Sequence, residues 1–289
     1  MRTRKSVFNL VTAVVGQVIS LFLSLIARMV FTRYMAQEYL GLSGLFTNIL
    51  SVLSFVELGI GPAITFSLYK PLAENNTEQV KSLMYLFKRA YQIILVSGVF
   101  FIPFYPFFIK DISGVTNLDL IYLLYVANTG ISYFFSYKIT LIIADQNQYI
   151  RNFVHYGVLF ITNIAQIVIL IFTQNYILFL ICQVVFTFSE NLWLSYVADR
   201  KYPYLKEQNI NKLSRDELQP IVRNIKAMVF HKVGSVVVSS TDNLLISKFL
   251  GLAISGLYAN YALILSAINT ILAKVFDAVV ASVGNLNAL

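Results

Sequence analysis

The chain has 289 residues, 57% of them hydrophobic and 12% charged, with a formal net charge of +8. Soluble domains average roughly 25% charged residues, so this composition excludes an ordinary water-soluble enzyme or binding module. The single cysteine, Cys182, sits in an apolar run, which excludes a disulfide framework and a thiolate metal site.

In hydrocarbon every backbone polar group must be satisfied within its own segment, so a crossing helix needs about 20 mostly apolar residues. The sequence on this rule predicts an all-α integral membrane protein with about eight transmembrane helices. They run Phe8–Thr32, Leu40–Tyr69, Tyr91–Ile109, Leu118–Ala144, His155–Thr173, Tyr176–Val197, Ala227–Leu250 and Gly256–Val283. Arg2, Arg4 and Lys5 precede a first stretch that is too long for a signal-peptide core and lacks a small-residue cleavage site. Pro103 and Pro106 predict a kink in the third span. After the sixth, residues 199–226 form a hydrophilic linker, in which Ser214 is the expected N-cap of a helix with Asp216 and Glu217 in its first turn. That helix is expected to run along the membrane surface. The chain thus divides into a first six-helix bundle (1–198), the linker (199–226) and the start of a second bundle (227–289).

Lysine and arginine set the orientation. One side holds Arg2, Arg4, Lys5, Lys70, Lys81, Lys88, Arg89, Arg151 and every base from Arg200 to Lys232, while the other holds Arg33, Lys110 and Lys248. The basic side is the cytoplasmic one, which puts the N-terminus in the cytoplasm of a multi-pass cytoplasmic-membrane protein. Spread over separate loops, the positive charge is a topology signal and no nucleic-acid partner is expected. Trp193, Tyr196 and Tyr202 read as an interfacial aromatic belt.

Arg28–Ser54 resembles Asn243–Asn269, with Arg33 over Lys248, Gly41 over Gly256, and Ile49-Leu50-Ser51 over Ile264-Leu265-Ser266. A repeat of six helices points both copies the same way across the membrane, a known transporter architecture with the substrate site between the halves. The second half shows only its first two helices, so the sequence is expected to be C-terminally truncated.

Tyr39-Leu40-Gly41, Gly44-Leu45-Phe46, Glu57-Leu58-Gly59-Ile60-Gly61-Pro62-Ala63-Ile64 and Leu68-Tyr69-Lys70-Pro71-Leu72-Ala73 resemble the polysaccharide biosynthesis (Wzx-type) flippases. Asn285-Leu286-Asn287-Ala288 is similar to the region after that family's eighth span. Those flippases belong to the multidrug/oligosaccharidyl-lipid/polysaccharide exporter superfamily. The resemblance implies transfer of undecaprenyl-pyrophosphate-linked oligosaccharide between leaflets by alternating access, in a V-shaped pair of bundles. Membrane lipid, a polysaccharide polymerase and glycosyltransferases are the partners it implies.

Seven ionisable residues fall inside the predicted spans: Arg28, Lys138, Lys274, Glu57, Glu190, Asp242 and Asp277. Each costs roughly 2.5–3.5 kcal/mol at a helix centre, so each needs a partner or water. A cavity lining and structural pairing both answer that need. Arg28, Lys138 and Lys274 are the candidates for pyrophosphate contact, because cations suit phosphate. Lys274 and Asp277 also share a helix face and can neutralise each other. Asp242 follows Ser239-Ser240-Thr241, a patch suited to a coupling ion or to helix–helix hydrogen bonds. Glu57 precedes Gly59, Gly61 and Pro62, which mark a hinge or discontinuous helix, or else close packing. His155 and His231 read as interfacial. Tyr122, Tyr125 and Tyr133 are lipid-facing or a stacking platform for sugars. No phosphate-binding glycine loop, no Asp-x-Asp pair and no metal-ligand spacing occurs. The reading is therefore a transporter and no enzyme, with no cofactor. The alternatives are a multidrug or metabolite antiporter of the same superfamily, or an inactive truncated product.

Overall fold

A computed structural model describes residues 2–36, 60–100, 117–207 and 213–230, with isolated positions between 39 and 50 and between 234 and 284. The described residues are helical, with short turns and no strand among them. The helices are α1 (Arg2–Tyr34), α2 (Ile60–Ala73), α3 (Thr77–Phe100), α4 (Leu118–Ala144), α5 (Gln148–Thr173) and α6 (Tyr176–Lys201). A 3-10 turn, Pro203–Lys206, follows, and residues 215–230 form α7.

Four described helices are long and apolar enough to cross a membrane: Phe8–Tyr34 of α1, and α4, α5 and α6. They match the first, fourth, fifth and sixth predicted spans. Of the other four, only the last part of Leu40–Tyr69 and the first part of Tyr91–Ile109 fall in continuous described helix. Ala227–Leu250 and Gly256–Val283 lie largely outside the described residues, as does the internal repeat. Three helices begin earlier than hydropathy predicts, the one expected from Phe8 already at Arg2. The span expected from His155 starts at Gln148, and the one expected from Tyr91 starts at Thr77. Hydropathy sees only the apolar turns, whereas backbone hydrogen bonding carries a helix on through its polar ones.

Very short turns force neighbouring helices antiparallel. At Glu74–Asn76, Asn75 takes a left-handed φ of 55°. Its N–H donates to the Leu72 carbonyl at 3.4 Å, and the Asn76 N–H donates to Pro71 at 2.8 Å, which satisfies two helix-end carbonyls. Asn76 then caps α3, its Oδ1 accepting the Gln79 N–H at 3.1 Å. The turn after α4 repeats this design: Gln146 has φ 58°, and the Gln146 and Asn147 N–H groups donate to Ile143 and Ile142, each at 3.0 Å. Between α5 and α6, Asn175 Oδ1 accepts the Ile177 and Leu178 N–H groups.

α1 packs along α5, α4 along α6, and α5 against α6, while α2 and α3 lean on each other and on α4. One apolar core joins Leu68, Leu83, Phe87, Leu141, Ala198 and Ile221, so α7 is anchored to the bundle. The other core, around Phe31, Tyr122, Leu170 and Tyr176, lies at the far end. Tyr122 is buried there and the Tyr125 hydroxyl is hydrogen-bonded to that of Tyr176 at 3.0 Å, so these two tyrosines are packing groups and no exposed platform. Phe22, Met29, Phe153, Phe172 and Trp193 stand exposed on the outside, which hydrocarbon tolerates and water does not.

The α1–α5 seam uses small and polar residues, as membrane helix pairs do. Asn9 donates to the Gln146 carbonyl at 3.2 Å and accepts the Tyr149 N–H at 2.7 Å. The Tyr156 hydroxyl donates to the Ala13 carbonyl at 3.3 Å, and its ring lies where a side chain on Gly16 would be. At α7 the expected cap is present and reciprocal: the Ser214 N–H donates to Glu217 Oε2 at 2.8 Å and the Glu217 N–H to Ser214 Oγ at 3.3 Å. The Ser214 N–H, and then its hydroxyl, hold the Glu217 carboxyl below the usual carboxylate range.

Gly16→Val is expected to cost about 1–3 kcal/mol by overpacking. Thermal unfolding in detergent should show a lower Tm, with part of the loss recovered in Gly16→Val/Tyr156→Ala. Ser214→Ala should speed amide exchange in the first turn of α7 roughly fivefold at neutral pH. Because the Glu217 pKa is depressed, its support holds above the usual carboxylate pKa and disappears as pH falls through the lowered one. Exchange that is equally slow in both proteins at neutral pH would contradict the cap.

Candidate functional site

Helices α2, α4 and α6 end, and α1, α3 and α5 begin, at one end of the bundle, and the lysines and arginines of these termini collect there. Lys138, the single base of α4, lies in its last two turns. Its ammonium is 2.7 Å from Asp199 Oδ1 and donates to Ser195 Oγ at 2.9 Å. Ser195 and Asp199 are one turn apart on α6, so both reach the same cation. On α3, the buried Lys81 donates to Glu207 at 2.7 Å and also pairs with Glu78. The hydrogen bonds from Glu207 and Glu78 raise the Lys81 pKa above the ordinary lysine value, so the ammonium stays charged well into the alkaline range.

Asp145, in the turn after α4, ties three helices together. Its Oδ2 accepts Asn147 Nδ2 at 2.6 Å and the Tyr202 hydroxyl at 2.8 Å, with Lys201 at 4.0 Å. Burial, and then the Asp145 charge, push the Tyr202 phenol far above its usual range. Tyr202 is therefore buried structure, while Trp193 and Tyr196 are exposed as an aromatic belt requires.

Between α3, α4, α6 and the 3-10 turn lies a cavity of about 230 Å³. Lys81, Lys88, Lys138 and Lys206 line it, with Tyr85, Tyr137 and Asp199. Deeper in the bundle, His155 Nδ1 lies 2.8 Å from Glu190 Oε1. His155 lies two turns inside α5, about 10 Å from its start.

Of the predicted site residues, Lys138 reaches this cavity. Arg28 is exposed near the opposite end of α1. It lies 19 residues beyond Asn9, which is level with Gln146, and so about 28 Å farther along the helix. The structure does not bring Arg28 and Lys138 together. Gly61 is buried and Pro62 exposed in continuous helix, with the Thr65 hydroxyl donating to the Gly61 carbonyl at 2.8 Å. α2 runs unbroken from Ile60 to Ala73. Glu57, Gly59, Asp242, Lys274, Asp277, His231, Pro103 and Pro106 lie outside the described residues. Sequence reasoning missed Asp199 as a partner of Lys138, and it counted Lys81, Lys88 and Lys206 as topology markers alone. It also read His155 and Glu190 separately. No local signal pairs them, since each contact joins residues far apart in the chain.

No protein-family model matches the sequence, and no curated protein does. Among solved structures the chain is similar to a MATE protein, crystallised as a point mutant, at 13% identity and a TM-score of 0.64. The likeness covers 96% of this chain and 66% of that one, so the chain spans a little under two thirds of that protein's length. At this identity the likeness is one of fold: the chain is an all-helical membrane protein with a MATE-like arrangement of its helices.

Proposed function

We propose that the chain is a membrane transporter of the multidrug/oligosaccharidyl-lipid/polysaccharide exporter superfamily. It moves an undecaprenyl-pyrophosphate-linked oligosaccharide across the cytoplasmic membrane by alternating access, with the basic end in the cytoplasm. The MATE-like arrangement of the helices carries the transporter part. The motif around Glu57–Ile64 and the excess of cations over anions at one end support the lipid-linked substrate. A sugar head linked through pyrophosphate is polar and anionic and cannot cross hydrocarbon alone, so it needs hydrated, cationic walls.

The separation of Arg28 from Lys138 gives the mechanism a direction. Lys138 meets the pyrophosphate on entry from the basic end, exchanging its contact with Asp199 for one with phosphate. Arg28 receives it near the far face, and Lys274 is the third candidate contact. Glu57, Asp242 and Asp277 are the coupling candidates, and Gly59, Gly61 and Pro62 are the hinge candidates. The MATE likeness favours a second reading, export of a drug or metabolite.

In a strain lacking its oligosaccharide flippase, the chain should restore surface polysaccharide, measured against a working twelve-helix flippase. Arg28→Ala and Lys138→Ala should each lower it roughly tenfold, the loss of one charge-assisted hydrogen bond. The two effects should multiply in the double variant, because the sites are far apart. Raised drug resistance with no polysaccharide would replace this reading by the second.

A further inference from the structure

We propose that the 230 Å³ cavity between α3, α4, α6 and the 3-10 turn binds a phosphate group, presented by an anionic lipid headgroup or by a soluble phosphate. Lys81 and Lys88 are seven residues apart on one face of α3, Lys138 comes from α4, and Lys206 comes from the turn after α6. Bringing four ammoniums to one small space is unfavourable unless anions are present. The protein supplies three: Glu78 and Glu207 at Lys81, and Asp199 at Lys138. These pairs fix the two inner lysines. Lys88 and Lys206 are exposed at the rim and carry no ion pair among the described residues. Arg89 adds a further cation, its Nε donating to the Tyr85 hydroxyl at 3.1 Å, which leaves the Tyr85 proton free to donate into the cavity. Structural pairing accounts for Lys81 and Lys138 and leaves the ammoniums of the two rim lysines, which topology alone does not require to face a cavity, available to an anion.

Size narrows the ligand. Pockets for drug-sized molecules hold roughly 300–1,000 Å³, so this one suits a single compact group and no sugar ring or nucleotide. Position narrows it further. The cavity opens where the helices end, the depth at which lipid phosphates sit, and basic pockets between helix ends bind acidic headgroups. Lys138 lines the same cavity and is assigned to the transported pyrophosphate, so the inference is tested on Lys88 and Lys206, which are not.

Native mass spectrometry of the purified chain with phosphatidylglycerol and with diacylglycerol, which has the same tails and no phosphate, tests this. Wild type should retain phosphatidylglycerol preferentially. Lys88→Ala/Lys206→Ala should lower that retention about tenfold, and Lys70→Ala, an exposed lysine outside the cavity, should leave it unchanged. Displacement by inorganic pyrophosphate would identify a soluble anion as sufficient, and persistence of the lipid would identify the headgroup as the source. Equal retention of the two lipids, an unaltered double variant, or an equal loss in Lys70→Ala would overturn the proposal.

Discussion

Hydrocarbon offers the backbone no hydrogen-bond partner, and an unsatisfied peptide group there costs several kcal/mol. Backbone that crosses in contact with lipid must therefore be helical, and the frayed ends, with their orphan carbonyls and N–H groups, are pushed outside the apolar slab. The Asn75 and Gln146 turns close those ends within three residues, and Asn76 and Asn175 cap the next helices. Such short connections fix which termini lie side by side. The charged residues at those termini are thereby gathered at one end, and the cavity there is a consequence of how the helices finish.

The same solvent decides how ionisable groups inside the bundle are held. An unpaired charge in a low-dielectric interior is strongly unfavourable, and removing one partner of a buried pair costs about 3–5 kcal/mol. Lys138 with Asp199 and His155 with Glu190 satisfy this by pairing across helices. Pairing of this kind also provides a switch. A cation held by a single carboxylate and a serine hydroxyl can trade the carboxylate for a phosphate at little net cost, because both offer charged oxygens in similar geometry. Lys81, gripped by two carboxylates, cannot trade so easily. The two paired lysines of one cavity thus have different duties, Lys81 holding the linker to α3 and Lys138 able to exchange.

Much of the fold was legible from the sequence because the membrane simplifies the code. Leu118–Ala144 was read to the residue, and Tyr176–Val197 from its first residue to one turn short of its end at Lys201, since apolar length alone defines them. The Ser214–Glu217 cap was legible for a different reason: it is a local motif whose partners are three residues apart. Hydropathy missed Thr77–Ala90 and Gln148–Val154, where polar turns continue a helix beyond its apolar part. The site was less legible. Lys138 was found by its isolation in an apolar helix, but its partner Asp199 lies just past the predicted end of α6 and was counted with the linker. Tyr202 looked interfacial by position and is buried by its bond to Asp145.

The linker follows from these contacts as part of the bundle. Ile221 of α7 belongs to the same apolar core as Leu83 and Leu141, and Gln79 of α3 reaches Glu217 at 3.4 Å. Glu207, immediately before residues 208–212, is salt-bridged to Lys81. A linker docked at both of its ends to α3 moves with the first bundle as one body. The charge-rich segment that reads from sequence as a hydrophilic linker is thus, in its described residues, packed against α3, which sets Lys206 beside Lys81 and Lys88.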